Sequence, residues 1–128
     1  MASIVYLDTH VAAWLYAAGA THLSAPARDA IEEAAELRIS PMVRLELQYL
    51  FEIGRTTEEA LPVVDALQSL IGLVFCESPF AAVIHEAAKQ DWTRDPFDRI
   101  IVAQASLNNA TLVTKDASIH SHYKQALW

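Results

Sequence analysis

The chain has 128 residues, a length that predicts one domain spanning residues 1–128, with enough chain to bury a sizeable core. Hydrophobic residues make up 53% and charged residues 20% of the sequence, so its composition excludes disorder and low-complexity repeats. Nine Lys and Arg against sixteen Asp and Glu give a net charge of −7, which argues against a broad basic surface for nucleic acid but leaves open a nuclease whose carboxylates hold cations.

Short apolar runs alternate with helical patterns in the first half of the chain. Residues 3–7 form a β-branched and aromatic run that predicts a buried first strand. Residues 9–18 predict a helix, because Val11, Trp14 and Leu15 recur at the spacing of one helical face. Four further elements are predicted here: a helix from Ser24 and Pro26 to about Ala35, a strand over 37–39, a helix from Ser40 and Pro41 to about Ile53, and a helix over 57–70 that begins with a capping box of Thr56 and Glu59.

The second half of the chain continues this alternation. The predicted elements are a strand over 73–76, a helix from Pro79 to Lys89, a helix from Asp95 and Pro96 to Leu107, a turn at Asn108 and Asn109, a strand over 111–114 and a short helix after Asp116. Short strands that alternate with longer helices predict an α/β fold, here a single three-layer α/β/α sandwich around a short parallel sheet.

Two acids follow predicted strands directly. Asp8 comes after the first strand, and Asp116 follows the fourth. Ligands of open parallel sheets bind beyond the carboxyl ends of the strands, so both acids are candidates for a binding site at that edge. Each also suits an ordinary structural role, because Asp is a preferred N-cap for the helix that follows it.

Glu46 lies on a helical stripe that should face the core. It follows Val43 by three residues and precedes Leu50 by four. One interpretation is a buried or rim ion pair with Arg44 or Arg99. The other is that this stripe faces a polar crevice near the start of its helix.

Asp98 lies in the first turn of its helix, on the same face as Val102 and Ala105. A favourable interaction with the helix dipole is the structural alternative here, and Asp95, directly before a proline, is the predicted N-cap. The topology nevertheless brings four acids to one edge of the sheet: Asp8, Glu46, Asp98 and Asp116. Hard oxygen ligands without a Cys or His cluster suit Mg²⁺ or Mn²⁺ rather than Zn²⁺, and carboxylate-held Mg²⁺ is typical of phosphoryl-transfer sites.

At these acids the sequence resembles the PIN domain family, and within it the VapC-type toxins of bacterial type II toxin-antitoxin systems. The resemblance covers nearly the whole chain and depends on four segments. These are Tyr6-Leu7-Asp8-Thr9-His10 with Trp14, the segment SPMVRLEL with Ser40 and Glu46, the segment RDPFDRIIVAQA over 94–105 with Asp95 and Asp98, and Leu112-Val113-Thr114-Lys115-Asp116. The third segment followed by the fourth is the specific part of the pattern.

The resemblance implies a Mg²⁺-dependent endoribonuclease, with Mn²⁺ as a substitute, that cleaves RNA phosphodiesters by attack of a metal-activated water. The catalytic, metal-holding residues it implies are Asp8 and Asp98 as the most direct ligands, and Glu46 and Asp116 as ligands through water or as nearby bases. The accessory residues are Ser40 and Thr114, which would orient carboxylates or phosphate, together with Thr9 and Asp95.

The same resemblance implies partners. Such toxins form homodimers, and a cognate antitoxin from an adjacent gene blocks the site with a segment that presents a basic side chain to the acids. No motif identifies which RNA is cleaved. The single cysteine, Cys76, and the lack of a signal-peptide pattern predict the reducing cytoplasm, and no apolar run reaches the ~18 residues of a membrane span.

Three other kinds of protein compete with this interpretation. A receiver-like phosphoacceptor signalling domain is also a single α/β domain, but it needs an acidic pair after the first strand and a phosphoacceptor after a middle strand, whereas Glu46 lies within a helix. A haloacid-dehalogenase-like phosphatase needs Asp-x-Asp, and residue 10 is His. A catalytically silent PIN-like binding module is the third possibility, and the presence of all four acids argues against it.

Several conspicuous residues fall outside the predicted site. His120 and His122 are predicted on an exposed helix, and His10 is predicted on a helix surface, with contact with the crevice as the alternative. The tryptophans are predicted to be core or interface residues, since no basic residue is interleaved with them to support base stacking; they are Trp14, Trp92 and Trp128. For Arg94 and Arg99 the sequence leaves open pairing with the acids or contact with phosphate.

Overall fold

The computed structural model describes residues 3–128, which form a five-stranded sheet covered by helices. The strands are β1 (Ile4–Leu7), β2 (Glu36–Ile39), β3 (Val74–Phe75), β4 (Thr111–Val113) and β5 (Ala126–Leu127). All neighbouring strands run parallel, in the order β3-β2-β1-β4-β5. The predicted α/β/α sandwich with a short parallel sheet is confirmed, and the structure adds a fifth strand that was not predicted.

Helices connect and cover these strands. Within residues 3–128 they are α1 (Thr9–Ala18), α2 (Ala25–Glu33), α3 (Pro41–Glu52), α4 (Ala60–Ile71), α5 (Phe80–Ala88), α6 (Pro96–Leu107) and α7 (Ala117–His122). α5 packs on α6, while α1, α3 and α4 pack on one another. In the part of the chain that the structure describes, no helix has the length and apolar character needed to cross a membrane.

Most helices begin at the polar residues that the sequence indicates. The hydroxyl of Ser24 accepts a hydrogen bond from Ala27 N at 3.1 Å at the start of α2. The hydroxyl of Ser40 accepts a hydrogen bond from Met42 N at 3.0 Å at the start of α3. These bonds satisfy backbone donors that have no partner within the helix, which is why the helices begin where they do.

The predicted capping box of Thr56 and Glu59 is wrong. α4 begins at Ala60 rather than at residue 57, and the Glu59 side chain makes no capping hydrogen bond. The amide of Ala60 instead donates to the side-chain oxygen of Gln48 on α3, at 3.1 Å. A partner from another helix has replaced the local cap, and the Thr56 hydroxyl donates to the carbonyl of Glu58 at 3.3 Å.

Other predicted boundaries differ by a few residues. α2 ends at Glu33 instead of near Ala35, because Ala34 is already extended as the chain enters β2. β3 has two residues rather than the predicted four. Trp14, predicted on the core-facing stripe of α1, is only partly buried and is not part of the buried core.

The central position of β1 determines where the site forms. β1 lies between β2 and β4, and the pairing continues one residue beyond it, with Asp8 N donating to the carbonyl of Val113 at 3.0 Å. Asp8 and Thr114 therefore leave the sheet side by side at its carboxyl edge. In open parallel sheets this edge is where ligands bind.

Candidate active site

A cleft of about 200 Å³ opens beyond the carboxyl ends of β1 and β4. The structure brings all four predicted acids to it. The lining residues are Asp8, Thr9, His10, Glu46, Leu50, Asp95, Asp98 and Asp116. Of the predicted accessory residues, Thr9 and Asp95 line the cleft, Thr114 contacts Asp8 from below it, and Ser40 does not line it, because its hydroxyl caps α3.

Asp8 is held by hydrogen bonds to both of its carboxylate oxygens. Oδ1 accepts from the backbone N–H of Thr9 at 2.8 Å, and Oδ2 accepts from the hydroxyl of Thr114 at 2.7 Å. The residue is only 4% exposed. Asp8 is thus both the N-cap of α1 and a fixed carboxylate of the cleft, so the two roles considered for it are not alternatives.

Thr114 links two of the acids. Its hydroxyl donates to Asp8 and accepts the N–H of Asp116 at 3.1 Å. Asp116 in turn uses Oδ1 to cap α7, accepting from Ile119 N at 3.0 Å. One fully buried hydroxyl therefore sets the relative positions of the acids at the ends of β1 and β4.

Replacing this hydroxyl should loosen the site. In Thr114→Val the side chain keeps its shape, but Asp8 loses a donor and the Asp116 amide loses an acceptor. We expect a loss of about 1–3 kcal/mol in the free energy of unfolding, and roughly a 10- to 100-fold loss of any metal-dependent activity. Thr111→Val on the same strand is the matched control in urea melts and activity assays. Equal behaviour of the two variants would contradict this role.

Glu46 reaches the cleft from α3 and is tied to the start of α1. Its Oε1 accepts a hydrogen bond from the hydroxyl of Thr9, which is itself buried. Burial raises the pKa of the Glu46 carboxyl, and the negative charges of Asp8 and Asp95 raise it further, while the Thr9 hydrogen bond opposes the shift. The polar-crevice interpretation of the α3 stripe is therefore the one that the structure supports.

The alternative ion pair of Glu46 is not formed. Among residues 3–128, neither Arg44 nor Arg99 makes a salt bridge. Arg99 instead donates to the carbonyls of Ala87 and Ala88, both at 3.1 Å, and so satisfies the end of α5. Arg94 donates to the carbonyl of Asp91 at 2.9 Å. Both arginines that flank the acids in sequence thus bind backbone carbonyls.

Among the residues of the cleft, Asp98 has the most strongly shifted pKa. Asp95 caps α6 through Phe97 N at 2.8 Å and Asp98 N at 3.3 Å, which places the Asp98 carboxyl in the first turn, facing the cleft. Burial and the negative charges of neighbouring residues together raise the pKa of Asp98 from 3.8 to about 7, and burial makes the largest contribution. Negative neighbours add to this shift, in the order Asp95, Asp8, Asp116 and Glu46. The neighbouring carboxylates are thus close enough to oppose the ionisation of Asp98.

His10 lines the cleft, which is the alternative that the sequence left open rather than the helix-surface position predicted for it. Its Nδ1 lies 3.5 Å from Asp8 Oδ2, and its Nε2 accepts the N–H of Lys115 at 2.9 Å. A nitrogen that accepts carries no proton, so the proton of the neutral ring is on Nδ1, toward Asp8. Burial lowers the pKa of His10, while Asp8 and Asp116 oppose this shift. Its place two residues after Asp8, in the first turn of α1, was the available signal.

The donor set of this cleft fits a hard divalent cation. In residues 3–128, no three acidic, His or Cys side chains surround a single point closely enough to enclose an ion as they stand. The cleft nevertheless gathers five carboxylates. Mg²⁺ keeps several waters and needs only one or two protein carboxylates, so an open arrangement of this kind suits it better than a closed cage would. Burial and repulsion by the neighbouring acids both oppose the charge of Asp98, and a cation would relieve the repulsion.

The sheet order separates this fold from the signalling alternative. Receiver-type domains have the flavodoxin-like strand order 2-1-3-4-5, whereas this sheet has β1 at its centre, between β2 and β4. His120 and His122 lie outside the cleft: His120 Nε2 contacts the carbonyl of Thr114, and the His122 ring stacks on Trp92 with centroids 4.8 Å apart.

Comparison with known proteins agrees with this fold and site. Residues 5–125 match the PIN domain, and the chain belongs to the PIN domain family. It is 37% identical over 124 residues to Ribonuclease VapC22 of Mycobacterium tuberculosis (strain ATCC 25618 / H37Rv), covering 92% of this chain and 91% of that protein. Within the family it therefore falls in the VapC group.

Solved structures show the same fold at lower sequence identity. VapBC2 from Rickettsia felis, bound to a DNA fragment from its promoter, matches with a TM-score of 0.63 and 19% identity, covering 98% of this chain and 97% of that one. VapBC-1 from nontypeable Haemophilus influenzae matches with a TM-score of 0.65 and 16% identity, covering 98% and 96%.

Proposed function

We propose that this chain is a Mg²⁺-dependent endoribonuclease, the toxin of a type II toxin-antitoxin system, formed as one PIN domain over residues 1–128. The observation that carries the proposal is the convergence of five carboxylates on one cleft at the carboxyl edge of the sheet. The likeness to a protein named as a ribonuclease, at 37% identity, supports RNA as the substrate. The catalytically silent alternative has no support in the cleft, which retains every acid.

Asp8 and Asp98 are the proposed direct ligands of Mg²⁺ or Mn²⁺, with Glu46 and Asp116 acting through water or as nearby bases. Bound there, the cation supplies an activated water and neutralises the charge that develops on the phosphate. Asp8 is held in one orientation by Thr114 and by the start of α1, so it needs little rearrangement. Glu46, whose pKa is raised, has Oε2 free of the Thr9 bond and is suited to take up a proton there.

The proposed protein partner is a cognate antitoxin with a basic segment. A net charge of −7 and an acidic cleft favour Arg or Lys side chains at that surface, where they would compete with the cation. A free, buried Cys76 and an RNA substrate are consistent with the proposed cytoplasmic location.

A homodimer is the proposed assembly. Leu45 and Tyr49 on α3, and Ile53 directly after its end, follow one another at four-residue spacing and are 56%, 46% and 49% exposed. Such an apolar stripe on the surface is typical of a protein–protein contact. Glu46 and Leu50 on the same helix line the cleft, so a contact along this stripe would lie near it.

Incubation of the purified chain with RNA tests the proposal. We expect cleavage with Mg²⁺ or Mn²⁺, no cleavage with a chelator, and inhibition when the protein encoded by the adjacent gene is added. Cleavage that persists in chelator would overturn the metal mechanism. A chain that binds RNA without cutting it would indicate the silent module, and failure of any adjacent gene product to inhibit would overturn the toxin assignment.

A further inference from the structure

A cluster of aromatic rings and one lysine lies beside the acidic cleft. The rings of Trp14 and Trp128 meet edge to face with centroids 5.7 Å apart, and Lys115 Nζ lies 6.0 Å from both centroids. We call Trp14, Lys115 and Trp128 the Trp–Lys cluster. Both tryptophans are partly exposed, and Trp128 packs against the buried core whereas Trp14 does not, so core packing does not explain the position of Trp14.

His10 joins this cluster to the cleft. Its ring lines the cleft, its Nε2 accepts the backbone N–H of Lys115, and its centroid lies 4.9 Å from that of Trp14. Lys115 also directly precedes Asp116, another residue of the cleft. The Trp–Lys cluster therefore begins where the acidic cleft ends.

Lys115 is a cation without a fixed anionic partner. Elsewhere Arg38 pairs with Glu36 and Lys89 with Glu86, whereas Lys115 is exposed and makes no salt bridge within residues 3–128. A polyanion that approaches this cleft meets five carboxylates on a chain of net charge −7. A positive group at the rim offsets that repulsion, and Lys115 is placed to supply it.

The sequence shows no basic residue next to the tryptophans, but the folded chain places Lys115 beside two of them. In the sequence, Trp14, Lys115 and Trp128 are far apart, but the fold brings them together because α1 follows β1 and the β4–α7 connection lies next to it. Aromatic faces next to a cation are the elements by which proteins bind unpaired nucleic acid strands.

We infer that the Trp–Lys cluster is a subsite for one unpaired nucleotide next to the phosphate in the cleft, with its base stacked on a tryptophan and its phosphate on Lys115. The inference rests on the proposed function and specifies where one unpaired nucleotide of the RNA substrate lies. Bases within a duplex are already stacked on their neighbours and cannot occupy such a surface.

Binding measurements on an Asp98→Asn background, which prevents cleavage, test the inference. The probe is a fluorescein-labelled, unstructured oligoribonucleotide in Mg²⁺, followed by fluorescence anisotropy. We expect Lys115→Ala and Trp128→Leu each to weaken binding roughly ten-fold, and Lys115→Ala to lower the slope of log Kd against log salt by about 0.7. Lys124→Ala, which removes another exposed lysine, should change neither quantity.

Several outcomes would overturn the inference. Unchanged binding in Lys115→Ala would do so even if Trp128→Leu failed to fold, and so would equal losses for duplex and single-stranded probes. If the variants weaken binding of the adjacent antitoxin but not of RNA, the cluster is a contact surface for that protein instead. The proposed function is tested separately: it fails if the wild-type chain shows no metal-dependent cleavage of RNA.

Discussion

Asp98→Asn is expected to abolish metal-dependent RNA cleavage while leaving the fold intact. The substitution keeps the size of the side chain but removes the charge from the carboxyl whose ionisation is most opposed by its neighbours. A cation in such a site contributes several kcal/mol to the stabilisation of the transition state, so loss of a direct ligand should lower the rate at least about 100-fold.

The measurement is a cleavage time course in Mg²⁺, with far-UV circular dichroism and gel filtration to verify folding. Asp65→Asn is the matched control, because Asp65 is exposed on α4 and is not among the residues that line the cleft. A fully active Asp98→Asn protein would remove this carboxyl from the site, and equal loss in both variants would indicate an effect unrelated to the cleft.

The same variant is expected to be more stable than the wild type when metal is withheld at neutral or higher pH. The pKa of Asp98 is raised from 3.8 to about 7, so the folded state holds this proton more tightly than the unfolded state does. Its contribution to stability is complete below pH 3.8 and is lost as the pH rises through about 7. Asparagine does not ionise, so the stability of the variant does not fall in this way as the pH rises.

The size of the effect follows from the shift. A change of about three pKa units corresponds to about 4 kcal/mol as an upper limit, and rotation of the charged side chain toward solvent should reduce it to roughly 2 kcal/mol. Loss of a favourable charge at the start of α6 offsets roughly 0.3–1 kcal/mol of this gain. The balance still favours the variant, by several degrees in Tm for a domain of this size.

Thermal melts in chelator at acidic and at mildly alkaline pH, repeated with Mg²⁺, measure this balance. The difference between the two proteins should grow with pH in chelator. Mg²⁺ should raise the Tm of the wild type more than that of the variant, because a cation that binds only the folded site stabilises it by mass action. A variant less stable than the wild type in alkaline chelator, or equal Mg²⁺ shifts, would mean that these acids do not crowd one site.

The sequence was sufficient to predict most of the fold because its signals are local. Strand and helix periodicity, together with Ser and Asp at helix starts, placed β1, β4 and most helices within a few residues. The acids could be grouped because parallel strands share a carboxyl edge, which is a property of topology rather than of side-chain packing. Glu46 and Asp98 were recognisable because a charge on an otherwise apolar helical face is unusual.

The features that were missed depend on distant partners. The start of α4 is set by Gln48 on another helix, which no local capping signal can indicate. The role of His10 depends on an amide more than a hundred positions along the chain, that of Lys115. The two-residue β5 is too short to show periodicity and forms by pairing with β4. Contacts of this kind appear only once the fold is assembled.

The hydrogen bond between Asp8 and Thr114 also has a consequence for biosynthesis. It spans 106 positions, so Oδ2 of Asp8 gains its partner only after nearly the whole chain has been made, whereas Oδ1 is held locally by Thr9 N. A nascent chain still missing β4 can already pair β1 with β2, but it has no Thr114 hydroxyl, no Asp116 and no Val113 carbonyl to accept the N–H of Asp8. Closing so long a loop also makes this contact slow to form. The acids of this cleft can therefore reach their final positions only late in the synthesis of the chain.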